Sequence, residues 1–350
     1  MVVYLIALAV SVFFASLASR VKYVDELKRE YCICAVLSVL PFFIVSAIRL
    51  DVGTDWFVYD RYFYAINEGS NRFNEPLFNL INRIIYLFTD NSQWLFVVIS
   101  ALCLTFTFMA IYKQSKYIPF SIILYFISTV YFNSLNQMRQ AIAMSIFLFA
   151  TQYLWKRDWK KYFFWILIAS CIHISALIYV PIYFMYGWKA ELKKHIVLFG
   201  IVVASMPVLK VVLVKVISMT PYAWYFESMF KDNDFLLAGF VISFLLLVLF
   251  EYYNYIGNRT GDEQFSLMVN IQWLCVVSLL CTGFIPQVSR ISGALEIVSL
   301  ISIPKMVLYE KNRNQRIILY CLVVAVLVVK LVYNVYVCGF YDVLPYKTIF

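Results

Sequence analysis

Long apolar runs, each of the length needed to cross a lipid bilayer, follow one another from the start of the chain almost to its end. A membrane-spanning helix needs about 20 mostly apolar residues, within a range of roughly 17 to 25. Runs of this kind lie at 2–19, 31–48, 94–112, 119–135, 138–154, 162–185, 196–217, 236–256, 266–282, 290–308 and 317–340. The sequence therefore predicts an all-α fold, a polytopic transmembrane helix bundle of about eleven spans, give or take two.

The composition supports lipid as the solvent of this chain. Of its 350 residues, 63% are hydrophobic and 14% are charged, whereas a soluble domain carries roughly 25% charged residues. We expect residues 1–350 to form a single integral membrane domain. The short apolar run 76–88 carries Arg83 and predicts an interfacial or re-entrant helix inside an external loop at 49–93.

The basic residues cluster beside the apolar runs. The formal net charge is +9, and basic clusters at 20–29, 156–161, 189–194 and 311–316 flank the runs, as the positive-inside rule requires. This placement argues against nucleic acid as a partner and predicts an external N-terminus. For residues 162–256 the rule leaves two alternatives: one of three runs fails to cross, or the basic loop at 186–195 is external.

Cysteine and histidine usage indicates no metal site and no cofactor. All eight cysteines lie in or beside apolar runs, no C-x-x-C occurs, and the chain has only two histidines. A structural or catalytic zinc site needs three or four such ligands. One histidine, His195, lies in a basic loop, where we expect it to be solvated.

The first polar cluster follows the second apolar run. Gly53 frees the backbone to turn, and the pair Thr54–Asp55 can cap a helix that begins at Trp56. An ordinary external turn with interfacial aromatic residues is the alternative. The candidate site residues in this run are Arg49, Asp51, Gly53, Thr54, Asp55 and Tyr59.

Two further polar positions lie at or within apolar runs. Arg139, flanked by Asn136 and Gln140, falls at the external end of its run, where the positive-inside rule predicts no arginine. His173 lies near the middle of the run 162–185, with Ala169, Ser170 and Ala176 on the same face of a continuous helix. A histidine there either bonds across helices or acts as a general base.

The last candidates are Arg290 and Glu296. Arg290 is expected at the external start of the tenth run, and Ser289, Ser292, Glu296 and Ser299 continue a polar stripe at helical spacing. Glu296 either neutralises a basic residue on another helix or takes part in catalysis. Arg49, Arg139 and Arg290 are thus predicted at one level of the membrane. Arginine suits phosphate oxygens, so the three favour an amphiphile with a diphosphate head over a transported solute.

Three short motifs carry a resemblance to a known family. The runs Arg49-x-x-x-Gly53-Thr54-Asp55-x-x-x-Tyr59, Asn136-x-x-Arg139-Gln140-x-x-Ala143 and His173-x-Ser175-Ala176 resemble those of the EpsG-like bacterial polysaccharide polymerases, the Wzy type, in order and spacing. The tail Leu344–Lys347 is similar to the ends of that family. Residues 49–181 match well and the C-terminal half matches loosely.

The resemblance implies glycosyl transfer without a metal or other cofactor, on the outer face of the bacterial cytoplasmic membrane. A growing O-antigen, capsule or exopolysaccharide chain would pass from undecaprenyl diphosphate to the next undecaprenyl-diphosphate-linked oligosaccharide. On this hypothesis Arg49, Arg139 and Arg290 bind diphosphate, unless Arg49 pairs with Asp51.

The same hypothesis makes His173 or, alternatively, Asp55 the base, with Ser175 among the supporting residues. Membrane lipid surrounds the protein, and the sequence leaves open whether it acts alone, with a chain-length regulator or as a dimer. An O-antigen ligase or acyltransferase on the same carrier and a flippase or transporter are the alternative functions.

Overall fold

The fold is seen in a computed structural model that describes residues 1–69, 75–227 and 235–350. Residues 70–74 of the predicted external loop lie outside the described residues. The described residues are 78% helical, and they contain no strand beyond one isolated bridge between Arg49 and Thr348. The all-α prediction is confirmed.

Sixteen α-helices occur within the described residues. They are α1 (Val2–Val21), α2 (Lys28–Ala47), α3 (Trp56–Asn67), α4 (Pro76–Tyr86), α5 (Gln93–Gln114), α6 (Ile118–Ile127), α7 (Val130–Asn136), α8 (Met138–Trp155), α9 (Trp159–Ile172), α10 (Val180–Met185), α11 (Leu192–Ser218), α12 (Leu237–Ile256), α13 (Glu263–Leu280), α14 (Ser289–Glu296), α15 (Ser299–Val307) and α16 (Arg313–Val332).

Fewer helices qualify as membrane spans than the eleven apolar runs suggested. Among the described residues, seven are long and apolar enough to cross, namely α1, α2, α5, α11, α12, α13 and α16 with its π-helical extension, and an eighth arises if α6 and α7 form one bent span. Helix α8 is continuous but too polar to count.

The difference in number comes from breaks that hydropathy does not show. The run 119–135 bends by 54° between α6 and α7, at Thr129 with a φ of +71°. The run 162–185 divides into α9, a 3₁₀ segment and α10. The run 290–308 divides into α14 and α15, so the predicted polar stripe from Ser289 to Ser299 does not lie on one helix.

By their internal contacts the described residues form two compact units. The first comprises Met1–Val180, Ser299–Leu308 and Tyr320–Phe350, and the second comprises Pro181–Val298 and Tyr309–Leu319. The interpretation of 1–350 as a single domain stays a prediction.

Small residues bring the first two helices of the first unit together. The buried residues of α1 are Tyr4, Ala7, Ser11, Ala15 and Ala18, which lie three or four positions apart and therefore on one face. Such a face lets the backbones of two helices approach closely. The Ser11 hydroxyl consequently donates a hydrogen bond to the Ser38 carbonyl of α2, over 2.5 Å.

Candidate active site

One carboxylate binds two of the predicted site residues. The Glu75 Oε2 atom lies 2.5 Å from Arg139 Nη1, and its Oε1 atom lies 2.8 Å from His173 Nδ1. The three side chains come from the N-terminal cap of α4, the first turn of α8 and the end of α9. Arg139 and His173, 34 positions apart in sequence, are therefore neighbours in the fold. Each keeps 19% of its side-chain surface exposed, so the cluster is reachable from outside.

His173 lies at a helix end and not within a helix, which corrects the prediction for this residue. Helix α9 stops at Ile172, and His173 has extended backbone angles, with φ −153° and ψ 120°. The 3₁₀ segment Ile174–Tyr179, which contains Ser175, follows directly. Ala169, Ser170 and Ala176 therefore do not form the continuous helical face that the sequence suggested.

Two aromatic contacts stabilise this break. A broken helix leaves backbone carbonyls without their usual donors. The Tyr162 hydroxyl donates to the carbonyl of Tyr179 over 2.7 Å, bridging the two sides of the break. The Tyr179 ring stacks on Phe147 of α8 with ring centres 3.7 Å apart. These contacts hold His173 where its ring meets Glu75.

Glu75 is ionised in this cluster. Burial disfavours the charged carboxylate, but the hydrogen bond with His173 and the positive charge of Arg139 outweigh burial, and the pKa of Glu75 falls below its ordinary value of 4.5. An ionised carboxylate only accepts hydrogen bonds, so His173 Nδ1 must carry the proton and donate it to Glu75. The other ring nitrogen, Nε2, is then a free base when the ring is neutral.

Tyr59 supports the cluster from α3. Its side chain is buried, with 4% exposure, and its hydroxyl accepts a hydrogen bond from the Arg139 backbone N–H over 3.4 Å. That N–H belongs to the first turn of α8 and has no partner within its own helix. Gln140, the next residue on α8, is also buried. The Arg139 guanidinium carbon lies 5.7 Å from the centre of the Phe78 ring.

The predicted turn at Gly53 is confirmed, and it requires glycine for two reasons. Its φ is +108°, and an added Cβ would lie 3.0 Å from Asn136 Oδ1 and 3.1 Å from the Leu135 carbonyl. Helix α3 begins at Trp56 with Asp55 at the cap position, although the Asp55 side chain makes no capping bond. Asn136 Oδ1 instead accepts from the Asp55 backbone N–H over 3.4 Å.

The end of the chain holds this turn in place. Backbone N–H groups of Gly53 and Thr54 donate to the carbonyls of Asp342 and Tyr341, over 2.9 and 3.3 Å. Asn136 Nδ2 donates to the same Tyr341 carbonyl over 3.0 Å. The first and second motifs and the C-terminal tail therefore meet at one place in the first unit.

Arg49 is buried and lacks an acidic partner within the described part of the chain. Its exposure is 1%, Nη2 lies 3.0 Å from Met138 Sδ, and Nε and Nη1 have no hydrogen-bond partner there. Burial lowers its pKa to about 10, so it stays charged at neutral pH. Asp51 pairs with Lys347 over 2.6 Å, so the predicted alternative of an Arg49–Asp51 pair is not formed.

Arg290 and Glu296 are the second and the last residues of α14 and belong to the second unit. Both are partly buried. Their joint action with Arg49 and Arg139 stays a prediction. Within the second unit, α14 is fixed to α13 partly by Cys275, whose thiol lies 3.8 Å from the Ser292 carbonyl.

His195 is not solvated, which corrects a second expectation. It lies in the first turn of α11 with 11% of its side chain exposed. Its Nδ1 bonds Glu251, and its Nε2 lies 2.9 Å from Asn270 Oδ1. Glu251 also accepts from Trp273 Nε1 over 2.6 Å. Both ring nitrogens therefore contact oxygen atoms of neighbouring helices, Glu251 on α12 and Asn270 on α13.

Glu75 was not among the site residues predicted from the sequence. The available signal was an acidic residue directly before Pro76, at the start of the short apolar run. Acidic residues before a proline commonly begin helices, so this signal pointed to a helix start and not to a site.

Among known proteins, one family model matches the chain. No curated protein and no solved structure matches the chain. The model of the EpsG family matches residues 32–348, well over half of the 350 residues. This match agrees with the three motifs, which lie within the matched range, and the chain therefore belongs to the EpsG family.

Proposed function

We propose that the protein is a polysaccharide polymerase that acts on lipid-linked sugars at the outer face of the bacterial cytoplasmic membrane. It transfers a growing glycan from undecaprenyl diphosphate onto the next undecaprenyl-diphosphate-linked repeat unit. Membership in the EpsG family favours a polymerase, and the apolar helices suit a substrate with a polyprenyl tail. The observation that carries the proposal is the meeting of Arg139 and His173 on the Glu75 carboxylate.

Arg139 binds the diphosphate in this mechanism. A guanidinium presents its N–H donors in a plane that matches phosphate oxygens. It stabilises the negative charge that the leaving diphosphate gains as its bond to the sugar breaks. Diphosphate is already a good leaving group, so guanidinium groups can supply the charge stabilisation without a metal ion.

His173 takes the proton from the acceptor sugar. The hydroxyl oxygen of the acceptor attacks the anomeric carbon of the glycan, and the bond between that carbon and the diphosphate oxygen breaks. The bonding electrons leave with undecaprenyl diphosphate, and the hydroxyl proton moves to His173 Nε2. Glu75 keeps the opposite nitrogen protonated and thereby holds the ring in the reactive orientation. Asp55 is the alternative base.

Arg49 and Arg290 remain further candidates for diphosphate. Because Arg49 is 1% exposed, a ligand can contact it only after the residues around it move. Arg139 keeps 19% of its side chain exposed, so we assign the primary diphosphate contact to Arg139. Partners of the reaction are the carrier-linked oligosaccharide, membrane lipid and a chain-length regulator.

The decisive experiment is a polymer-length assay in the source bacterium. A deletion strain expresses the wild-type chain, Arg139→Ala, Arg139→Lys or the control Arg61→Ala, which changes an exposed arginine on α3. Membrane levels are matched by immunoblot. We expect single repeat units in Arg139→Ala, strong shortening in Arg139→Lys because lysine cannot make the bidentate contact, and normal polymer in Arg61→Ala.

Other outcomes identify other functions. Polymer that accumulates on the carrier in the deletion strain indicates a ligase, and lipid-linked units that stay on the cytoplasmic side indicate a flippase. Normal polymer length in a well-inserted Arg139→Ala chain refutes the role of Arg139 in diphosphate binding.

A further inference from the structure

Glu75 contacts both Arg139, the proposed diphosphate-binding residue, and His173, the proposed base. We infer that Glu75 couples the two, so that diphosphate bound at Arg139 increases the proton affinity of His173. The imidazole would then hold the transferred proton more strongly when a donor is in place. This inference rests on the proposed function and adds a form of regulation to it.

The charges around Glu75 provide the reason. In the free protein the single negative charge of Glu75 is shared between Arg139 at 2.5 Å and His173 at 2.8 Å. The guanidinium therefore reduces the attraction that the carboxylate exerts on a proton at the imidazole. A diphosphate carries at least two negative charges, neutralises Arg139 and competes with Glu75 Oε2 for its N–H groups. The charge of Glu75 then acts mainly on His173.

Within the described residues, the imidazole of His173 bonds one charged group, Glu75, the cap residue of α4. Arg139 of α8 reaches His173 through Glu75. Tyr59 of α3 contacts the Arg139 backbone, and Asp55 acts electrostatically on Tyr59. Neither is bonded to the imidazole within the described residues. Glu75 is therefore the group through which the state of Arg139 reaches the base.

The presence of only two histidines makes the inference directly measurable. The protein is labelled with ¹⁵N-histidine, placed in lipid nanodiscs at constant neutral pH, and titrated with inorganic diphosphate. We expect the His173 nitrogen resonances to move toward the imidazolium form, with at least about a tenfold rise in the ratio of imidazolium to imidazole. His195 provides the internal reference, since its ring nitrogens contact Glu251 and Asn270 and should not respond.

Two variants separate coupling through Glu75 from a direct field of the ligand. In Glu75→Gln the shared carboxylate is gone and only the direct field of the diphosphate still acts on His173, so we expect the response to fall well below that of the wild type. In Arg139→Gln we expect weaker diphosphate binding, followed by ³¹P resonance, and no His173 response. An undiminished response in either variant overturns the inference, so the test stays decisive if one of them fails to fold.

Failure of the inference and failure of the proposed function look different. Diphosphate binding that depends on Arg139 but leaves wild-type His173 unchanged overturns the coupling and leaves the diphosphate role of Arg139 intact. Binding that is absent, or equal in wild type and Arg139→Gln, overturns both. A response in wild type that is strongly reduced in Glu75→Gln supports the coupling.

Discussion

Replacing Gly53 with alanine should destabilise the protein through two separable costs. The first is the backbone cost of holding a residue with a Cβ at a φ of +108°, about 1–2 kcal/mol. The second is the crowding of that Cβ against Asn136 Oδ1 at 3.0 Å and the Leu135 carbonyl at 3.1 Å. Overpacking of this kind costs about 1–3 kcal/mol. The expected total for Gly53→Ala is therefore about 2–5 kcal/mol.

Two other glycines separate these costs. Gly69 has a φ of +96° and no described atom within 4 Å of an added Cβ, so Gly69→Ala should show the backbone cost alone, about 1–2 kcal/mol. Gly200 lies within α11, also with open space around it. Gly200→Ala should leave stability unchanged or raise it by up to about 1 kcal/mol, because alanine favours the helix.

Thermal unfolding of the purified protein in detergent distinguishes these cases. A maleimide dye that fluoresces on reaction reports unfolding, because the thiols of Cys103, Cys275 and Cys281 are buried. The midpoint temperature of unfolding should be highest for Gly200→Ala, lower for Gly69→Ala and lowest for Gly53→Ala. Equal losses for Gly53→Ala and Gly69→Ala would refute the steric part of the reasoning, and an unchanged Gly53→Ala would refute both parts.

Three further results are expected from thermal unfolding, and the third is followed by far-ultraviolet circular dichroism because maleimides react too slowly with protonated thiols at acid pH. His195→Ala should lower stability by about 1–3 kcal/mol, because it removes one of the hydrogen-bond partners of the buried Glu251 carboxylate. Lys347→Ala should cost at most about 1 kcal/mol, since its ion pair is exposed; a loss as large as that of His195→Ala would contradict this. Because the pKa of Glu75 is lowered, its stabilising charge is fully present above pH 4.5 and is lost as the pH falls through the lowered pKa. Wild type should therefore lose more stability than Glu75→Gln between pH 5 and pH 3, and parallel curves would count against the ion pair.

Sequence motifs pointed to two of the three side chains that meet in the candidate site, but not to the third. The motifs singled out Arg139 and His173 because ionisable groups in apolar runs are costly and must be paired or functional. Their common partner Glu75 was not recognised, because nothing local distinguishes it from an acidic residue at an ordinary helix start. The partner is chosen by how α4, α8 and α9 pack, which sequence spacing does not reveal.

His195 illustrates the same limit in the opposite direction. The two basic residues directly before it, Lys193 and Lys194, suggested a solvated loop. Its acidic partner Glu251 lies 56 positions further on, along α12, and its amide partner Asn270 lies on α13. Only the packing of three helices shows that this histidine is half-buried and paired.

The apolar runs by themselves determined that this chain is helical and belongs in a membrane, because in lipid every backbone N–H and C=O must be satisfied within its own segment. The turn at Gly53 was also predictable from the sequence, since glycine adopts such backbone angles without strain. The tertiary structure alone decided where helices break, as at Thr129 and His173, and which charges meet. Hydropathy averages over a whole run, whereas a break or an ion pair depends on individual atoms supplied by distant segments.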